Sequence, residues 1–200
     1  MRNDLHNWHP LTIEELHTLF SKIPIHWFMA GGWALDIHVG HQTREHADID
    51  VAIYRKDQQM LYHYLKEDWV LYKAQQGVLK HWHEGEHLTS INDVWVSKRE
   101  RSPWAFQVML MDNAAEDWMY RREPSIRLEK TKVFRQTTNG IPYIKPEIQL
   151  LYKGGSSKIR EQDLQDLINV LPRLDKQEKQ WLEASLNKQF PEGHHWLKYF

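Results

Sequence analysis

The sequence predicts an α+β fold: a mixed β-sheet with flanking helices over residues 1–144, followed by a small C-terminal helical part over residues 145–200. Short apolar runs bounded by Gly, Pro, Asn and Asp alternate with stretches of helical period up to residue 144, the pattern of a sheet with helices packed on it. From Lys145 onward the period changes and only helical patterns follow. Asn139-Gly140, a strong hairpin signal, stands just before that change. A chain of 200 residues can bury a real core as one large domain or two small ones.

Thr12 and Glu15 have the spacing of a capping box, so Leu11–Phe20 reads as a first helix, with Leu16, Leu19 and Phe20 facing the core and Pro24 beyond its end. Ile25–Ala30 is an apolar strand that delivers Gly31 and Gly32 to a turn. A short helix then runs from Gly32 to about Val39, closed by Gly40. Asp36, one turn into that helix, is expected in a cap or packing network. His41–Ala47 is a polar loop and Asp48–Tyr54 a second strand. Met60, Leu61, Tyr64 and Leu65 give Asp57–Glu67 a helical period, and a strand follows near Trp69–Lys73. His81, His83 and His87, interleaved with Glu84 and Glu86, match no zinc-clip spacing, and a polar hairpin is expected there. Asn92–Lys98, Pro103–Asp112, Trp118–Arg122 and Lys132–Gln136 read as strands, with Ile141–Ile144 the far arm of the Asn139-Gly140 hairpin. Pro146 suits the first turn of a helix reaching about Tyr152. Gly154–Ser157 breaks it, Ile159–Leu171 forms a second helix before Pro172, and Asp175–Asn187 a third.

Composition narrows the function. Lys and Arg number 26 against 27 Asp and Glu, a net charge of −1, which argues against a dedicated nucleic-acid surface and suits a small neutral or cationic partner. The chain has no cysteine, which excludes disulfides, thiolate catalysis and cysteine-based zinc sites. No apolar run reaches signal-peptide or membrane-span length, so a cytoplasmic location is expected. The 10 tryptophans and 13 histidines include candidates for stacking on a base or sugar, although cores and element edges are the commoner place for such rings.

Chemistry concentrates around the second strand. Strand side chains alternate faces, so Asp48 and Asp50 point the same way, roughly 6.5–7 Å apart. Two like charges held together resist joint ionisation, and a divalent cation removes that cost. Mg²⁺ takes one or two carboxylates and completes its shell with water and phosphate oxygens. Gly31 and Gly32 let backbone amides approach a phosphate at the start of a helix, whose dipole favours an anion.

Ala30-Gly31-Gly32 followed by Asp48-Ile49-Asp50 resembles the signature of the polymerase-β-like nucleotidyltransferase superfamily. Gly31–Asp36 and Thr43–Asp50 most resemble the small bacterial aminoglycoside and lincosamide nucleotidyltransferases, and Lys145–Lys153 with Arg160–Asp163 and Asp166 resembles their C-terminal helices, so the resemblance covers most of the chain. It implies a nucleotidyltransferase-type sheet and transfer of a nucleoside monophosphate from an NTP, ATP being the first expectation, to a hydroxyl of a small molecule such as an aminoglycoside-type antibiotic. Asp48 and Asp50 would hold Mg²⁺, as two ions. Gly31, Gly32 and Arg44 would cradle phosphates, and Lys153, at a helix end, would reach the triphosphate. Arg44 pairing with Glu45 or Asp48, and Lys153 serving only the helix dipole, are the alternatives; Asp163 and Asp166 are expected to pair with Arg160 and Lys158. The superfamily often adds a third carboxylate on a neighbouring strand, but Phe106–Met111 presents Gln107, which takes no proton at neutral pH. Asp93 stands in as the base, with Glu86 next. Glu84 and Glu86 could meet a cationic acceptor. Two other readings stay open: transfer to a tRNA or, as in toxin relatives, to a protein, and a catalytically silent nucleotide-binding module.

Overall fold

Thr12 accepts a hydrogen bond from the Glu15 amide, and the Glu15 carboxylate accepts one from the Thr12 amide in return, so the first helix starts where the capping box lies. The computed structural model describes residues 1–200. In chain order its elements are α1 (Ile13–Phe20), β1 (Trp27–Ala30), α2 (Gly31–Val39), β2 (Asp50–Tyr54), α3 (Gln58–Leu65), β3 (Val70–Gln75), β4 (Val78–His81), β5 (Asp93–Ser97), β6 (Trp104–Ala114), β7 (Asp117–Met119), β8 (Arg127–Glu129), β9 (Phe134–Gln136), β10 (Pro142–Ile144), α4 (Pro146–Gly154), α5 (Glu161–Val170) and α6 (Lys176–Gln189). Helices and strands mix as an α+β fold requires. The residues group into two compact units, one of Met1–Ala30 with His46–Asn113, the other of Gly31–Glu45 with Ala114–Phe200.

The first unit is a sheet of order β4-β3-β5-β6-β2-β1. Its pairs are antiparallel except β2 with β6, which run parallel. The β3–β4 turn is Gln76-Gly77, both at positive φ (52° and 75°), the two-residue geometry that matches strand twist. One sheet face buries Val94, Val96, Phe106 and Val108 with Leu16 and Phe20 of α1 and Leu61 and Leu65 of α3. Phe20 and Trp69 both meet the Phe106 ring edge-on, at 5.7 and 5.3 Å, and the Tyr64 hydroxyl donates to the Leu19 carbonyl.

The N-terminal segment covers part of the other face. Trp8 packs on Trp95 at 4.7 Å, and the Arg2 guanidinium lies 3.6 Å over the fully buried Trp104 ring. Arg2 also forks onto Asp4 and donates to Ser97 and the Ser102 carbonyl. Its amide pairs with the Leu79 carbonyl at the sheet edge. Asp50, Asp93, Gln107 and Met109 remain half-buried on that face.

In the second unit α4 packs against α5 and α6, and the hairpins β7–β8 and β9–β10 are antiparallel. The expected strand Trp118–Arg122 shortens to β7, with Tyr120–Arg122 outside it, and Lys132–Gln136 shortens to β9 after a 3₁₀ turn at Lys130–Lys132. Gly154 and Gly155 close α4 where two aromatic groups arrive. A Cβ on Gly154 would lie 2.6 Å from two atoms of the Trp196 ring, and one on Gly155 at 2.0 Å from the Tyr120 hydroxyl. These glycines therefore allow close approach as well as ending the helix. No helix is long and apolar enough to cross a membrane.

Candidate active site

In the first unit the strand hydrogen bonding begins at Ile49, whose carbonyl accepts from the Gln107 amide at 2.9 Å. Ile49 is 1% exposed, and its neighbours Asp48 and Asp50 are half-buried. Exposure alternates over Asp48–Asp50, although β2 itself starts at Asp50, so Asp48 and Ile49 lie ahead of the strand that was expected to begin at Asp48. Parallel pairing sets Asp50 beside Gln107 on β6, and antiparallel pairing sets Gln107 beside Trp95 on β5. Laterally paired residues share a face and so do residues two apart, so Asp93 belongs to the same face. The Gln107 side-chain amide donates to Asp93 Oδ1 at 3.0 Å. Asp50, Gln107 and Asp93 thus share one face of three adjacent strands, and Asp48 lies two residues ahead of Asp50, just before β2.

No group of three or more His, Asp or Glu side chains is arranged to hold a metal ion by itself. The donor set at Asp48 and Asp50 nonetheless fits Mg²⁺, a hard cation that takes one or two carboxylates and fills the rest of its shell with water and substrate phosphate.

Gly31 opens α2 with φ +66°, a conformation that suits glycine. Its amide donates to Gln149 Oε1 of α4 at 3.0 Å, a partner that sequence spacing gives no means of finding. Gly32 follows, half-buried, in the first turn. Asp36 accepts from the amide and hydroxyl of Thr43 at 3.1 and 2.6 Å, folding the loop back onto the helix; this is the packing role expected of it.

Arg44 is engaged by the fifth helix. Its guanidinium forks onto Asp166 of α5, Nε to Oδ1 at 2.8 Å and Nη2 to Oδ2 at 3.0 Å, while Nη1 donates to the Glu45 carbonyl. Lys153 is 8% exposed, with Nζ 2.8 Å from Asp166 and 3.4 Å from Asp163. It lies between two carboxylates and does not stand free at the helix end. Asp163 forms the expected pair with Arg160, but Asp166 pairs with Arg44 and Lys153 where Lys158 was expected. Burial raises the Asp166 carboxyl, and the hydrogen bond from Arg44 with the charge of Lys153 outweighs it, leaving the group below the usual range. Three cations and two carboxylates make a cluster of net positive charge.

Glu84 and Glu86 sit on the turn after β4. Glu84 is exposed and pairs with Lys66 at 2.9 Å and His63 at 3.4 Å. Glu86 pairs with Lys73, and its carbonyl accepts from the buried Trp82 indole at 2.8 Å. His81 stacks on His83 at 6.2 Å. The polar turn is therefore tied down by its acids, which already have cationic partners.

A family model described as aminoglycoside-2''-adenylyltransferase matches residues 12–170. The structure of the lincosamide antibiotic adenylyltransferase LnuA, lincomycin-bound, aligns with a TM-score of 0.57 at 21% identity, over 83% of this chain and 100% of that one. The solution structure of the antibiotic-resistance factor ANT(2'')-Ia gives 0.57 at 13% identity, over 90% of this chain and 91% of that one. Its complex with adenylyl-2"-tobramycin gives 0.56 at 13% identity, over 89% and 98%. Comparison with curated protein sequences gave no match. At these identities the likeness speaks for the fold, which is of the nucleotidyltransferase type.

Proposed function

The chain belongs to the aminoglycoside-2''-adenylyltransferase family and is a nucleotidyltransferase; from that premise we propose that it moves a nucleoside monophosphate from Mg·ATP to a hydroxyl of a small, amine-bearing antibiotic of the aminoglycoside type. The observation that carries the reading is the carboxylate face. Asp48 and Asp50 flank buried Ile49, and the strand beside them presents Gln107 bonded to Asp93.

Asp48 and Asp50 would hold Mg²⁺. The chemistry supplied by bound Mg²⁺ is neutralisation of the triphosphate and a lowered pKa for the attacking hydroxyl. Asp93 accepts the hydroxyl proton as the new O–P bond forms at the α-phosphorus and the bond to the β-phosphate oxygen breaks, releasing pyrophosphate. Phosphoryl transfer needs mainly positioning and charge stabilisation, so one modest base suffices. Gly31 and Gly32 let the backbone approach the phosphates, with the Gly31 amide already given to Gln149, and Arg44 and Lys153 supply positive charge. A phosphate drawing on Arg44 would compete with Asp166, which tunes that affinity downward. Glu84 and Glu86 are acceptor contacts only if an ammonium displaces Lys66 or Lys73.

Pyrophosphate release is the test, measured with Mg²⁺ and each of four NTPs against pooled aminoglycosides, pooled lincosamides and a tRNA fraction. Release is expected with the aminoglycoside pool and ATP, and Asp48→Asn/Asp50→Asn should abolish it. Release that depends on tRNA, or nucleotide binding without release from any pool, would sink the proposal.

A further inference from the structure

Gln107 stands where a third carboxylate would complete a metal site, and its two sets of bonds give it a different task. Its backbone amide donates to the carbonyl of Ile49, the residue between Asp48 and Asp50, at 2.9 Å. Its side-chain amide donates to Asp93 Oδ1 at 3.0 Å. We propose that Gln107 is a positioning residue for the transfer step, which fixes the Asp93 carboxylate in one rotation relative to the aspartate strand so that it meets the acceptor hydroxyl correctly aimed. This rests on the nucleotidyltransferase reading above.

The chemistry favours an amide at this position over either alternative. A carboxylate would set a third negative charge beside Asp50 and next to Asp93, and like charges at that spacing push one another toward the neutral form. A hydrocarbon would take away the bond that Gln107 gives to Asp93 Oδ1. A carboxamide carries no charge and donates a hydrogen bond, which favours the ionised acceptor, the form able to take a proton. The orientation of the amide follows from its partner: only the NH₂ group can bond to an ionised carboxylate oxygen, while the amide oxygen would repel it. The backbone bond to Ile49 makes the arrangement rigid, because the residue that aims Asp93 is tied into the strand that bears Asp48 and Asp50.

Two measurements test this together. In the nucleotide-free protein, the Gln107 side-chain NH₂ protons should resonate as hydrogen-bonded and slow in exchange, and Asp93→Ala should remove both signs. Unchanged NH₂ signals in that variant would overturn the contact itself. In transfer assays, Gln107→Leu, near in volume and checked for an unchanged melting temperature, should lower kcat about tenfold or more, part of what a positioned base contributes. KM for the nucleotide should stay within about twofold, since uniform binding is untouched. Gln107→Met, also apolar and unbranched, serves if the leucine variant unfolds. Added to Asp93→Asn, the same change should cost almost nothing further, because a residue acting through Asp93 has no effect once Asp93 is gone. Fully multiplicative losses in the double variant would overturn the proposal. So would a gain of activity with Gln107→Glu, which would mark the position as a metal ligand in reduced form. If the wild-type chain transfers nucleotide to no acceptor while the NH₂ signals behave as described, the functional reading falls and the positioning role with it, and the Gln107–Asp93 bond stands as a structural contact only.

Discussion

A buried carboxyl group gives the second unit a pH dependence near neutrality. Glu147, 4% exposed, has no hydrogen-bond partner on Oε2, and burial pushes its carboxyl up to about 7, with Glu178 adding to the rise and Lys145, 3.8 Å away, opposing it. Its folded pKa lies above the unfolded value, so the native state binds the proton more tightly and stability falls as pH rises between the two. From pH 5 to 8 that amounts to roughly 2–3 kcal/mol. Glu147→Gln should flatten this slope, read from urea midpoints at the two pH values; an unchanged slope would reject Glu147 as its source. Asp163 and Asp166 act at the other end of the scale. Their carboxyls lie below the usual range because ion pairs overcome burial, so the stability they lend is present above the unfolded carboxyl pKa and is lost as acid protonates them. For Arg44 the fork matters more than the charge. Arg44→Lys keeps a cation but cannot hold Asp166 by two parallel bonds, and nucleotide KM should rise on the order of tenfold if the guanidinium serves the triphosphate. A KM unchanged in that variant would confine Arg44 to the ion-pair cluster. The strand that follows the acidic residues was legible in sequence because the apolar run Val51–Tyr54 marks it, although it begins at Asp50 and not at Asp48. The partner of Arg44 was not, because Asp166 lies 122 residues away and no local rule spans that distance.

Two elements depend on small residues or a single side chain. The end of α4 accepts Trp196 and the Tyr120 hydroxyl at distances that leave no room for a methyl group. Gly155→Ala should destabilise more than Gly154→Ala, because the added carbon meets the Leu151 carbonyl at 2.8 Å as well as two side-chain atoms, and backbone yields less than a ring. Losses of roughly 1–3 kcal/mol are expected for overpacking of this kind, measurable as lowered thermal midpoints; equal midpoints for both variants and the parent would contradict the packing argument. At the sheet, Arg2 unites the first residues with Trp104, Tyr72, Ser97 and the Ser102 carbonyl. Arg2→Ala should cost roughly 1–3 kcal/mol through the lost cation–π contact and charged hydrogen bonds, with tryptophan emission shifted as the Trp8–Trp95–Trp104 group meets water. No shift would mean that the segment is held by Trp8 alone. The capping box of α1 was readable because Thr12 and Glu15 carry the pattern in their side chains. The Gln76-Gly77 turn was missed since glutamine is not a usual residue at positive φ. So was β8, whose three residues Arg127-Leu128-Glu129 give only one apolar position on which to see a period.

At the scale of the whole chain, the α+β class followed from the alternation of apolar runs with helical periods, and the change of period at Lys145 does open a run of helices. Compactness follows other lines. Gly31–Glu45 belongs with Ala114–Phe200, while the residues on both sides of it belong to the other unit; periodicity reports local shape and carries no word of which distant segment a piece will pack on. The Gly-Gly turn is where the chain first leaves its unit, at Ala30, and His46 is where it returns. This excursion has a consequence for the order in which the molecule takes shape as it is made. Gly31 needs Gln149 and Arg44 needs Asp166, so residues 31–45 leave the ribosome long before their partners exist. Contacts this far apart in sequence close late. Ribosome-bound chains halted after about residue 120, their C-terminal residues still in the exit tunnel, should show the excursion open to protease, and protection should come only once α5 has emerged. Protection in the shorter chains would show that the excursion folds without α4 and α5. During synthesis, the stretch between the two glycines and the aspartates therefore stays unmade until nearly the last helix arrives, and a half-finished chain carries its second unit without the piece that joins it earliest in sequence.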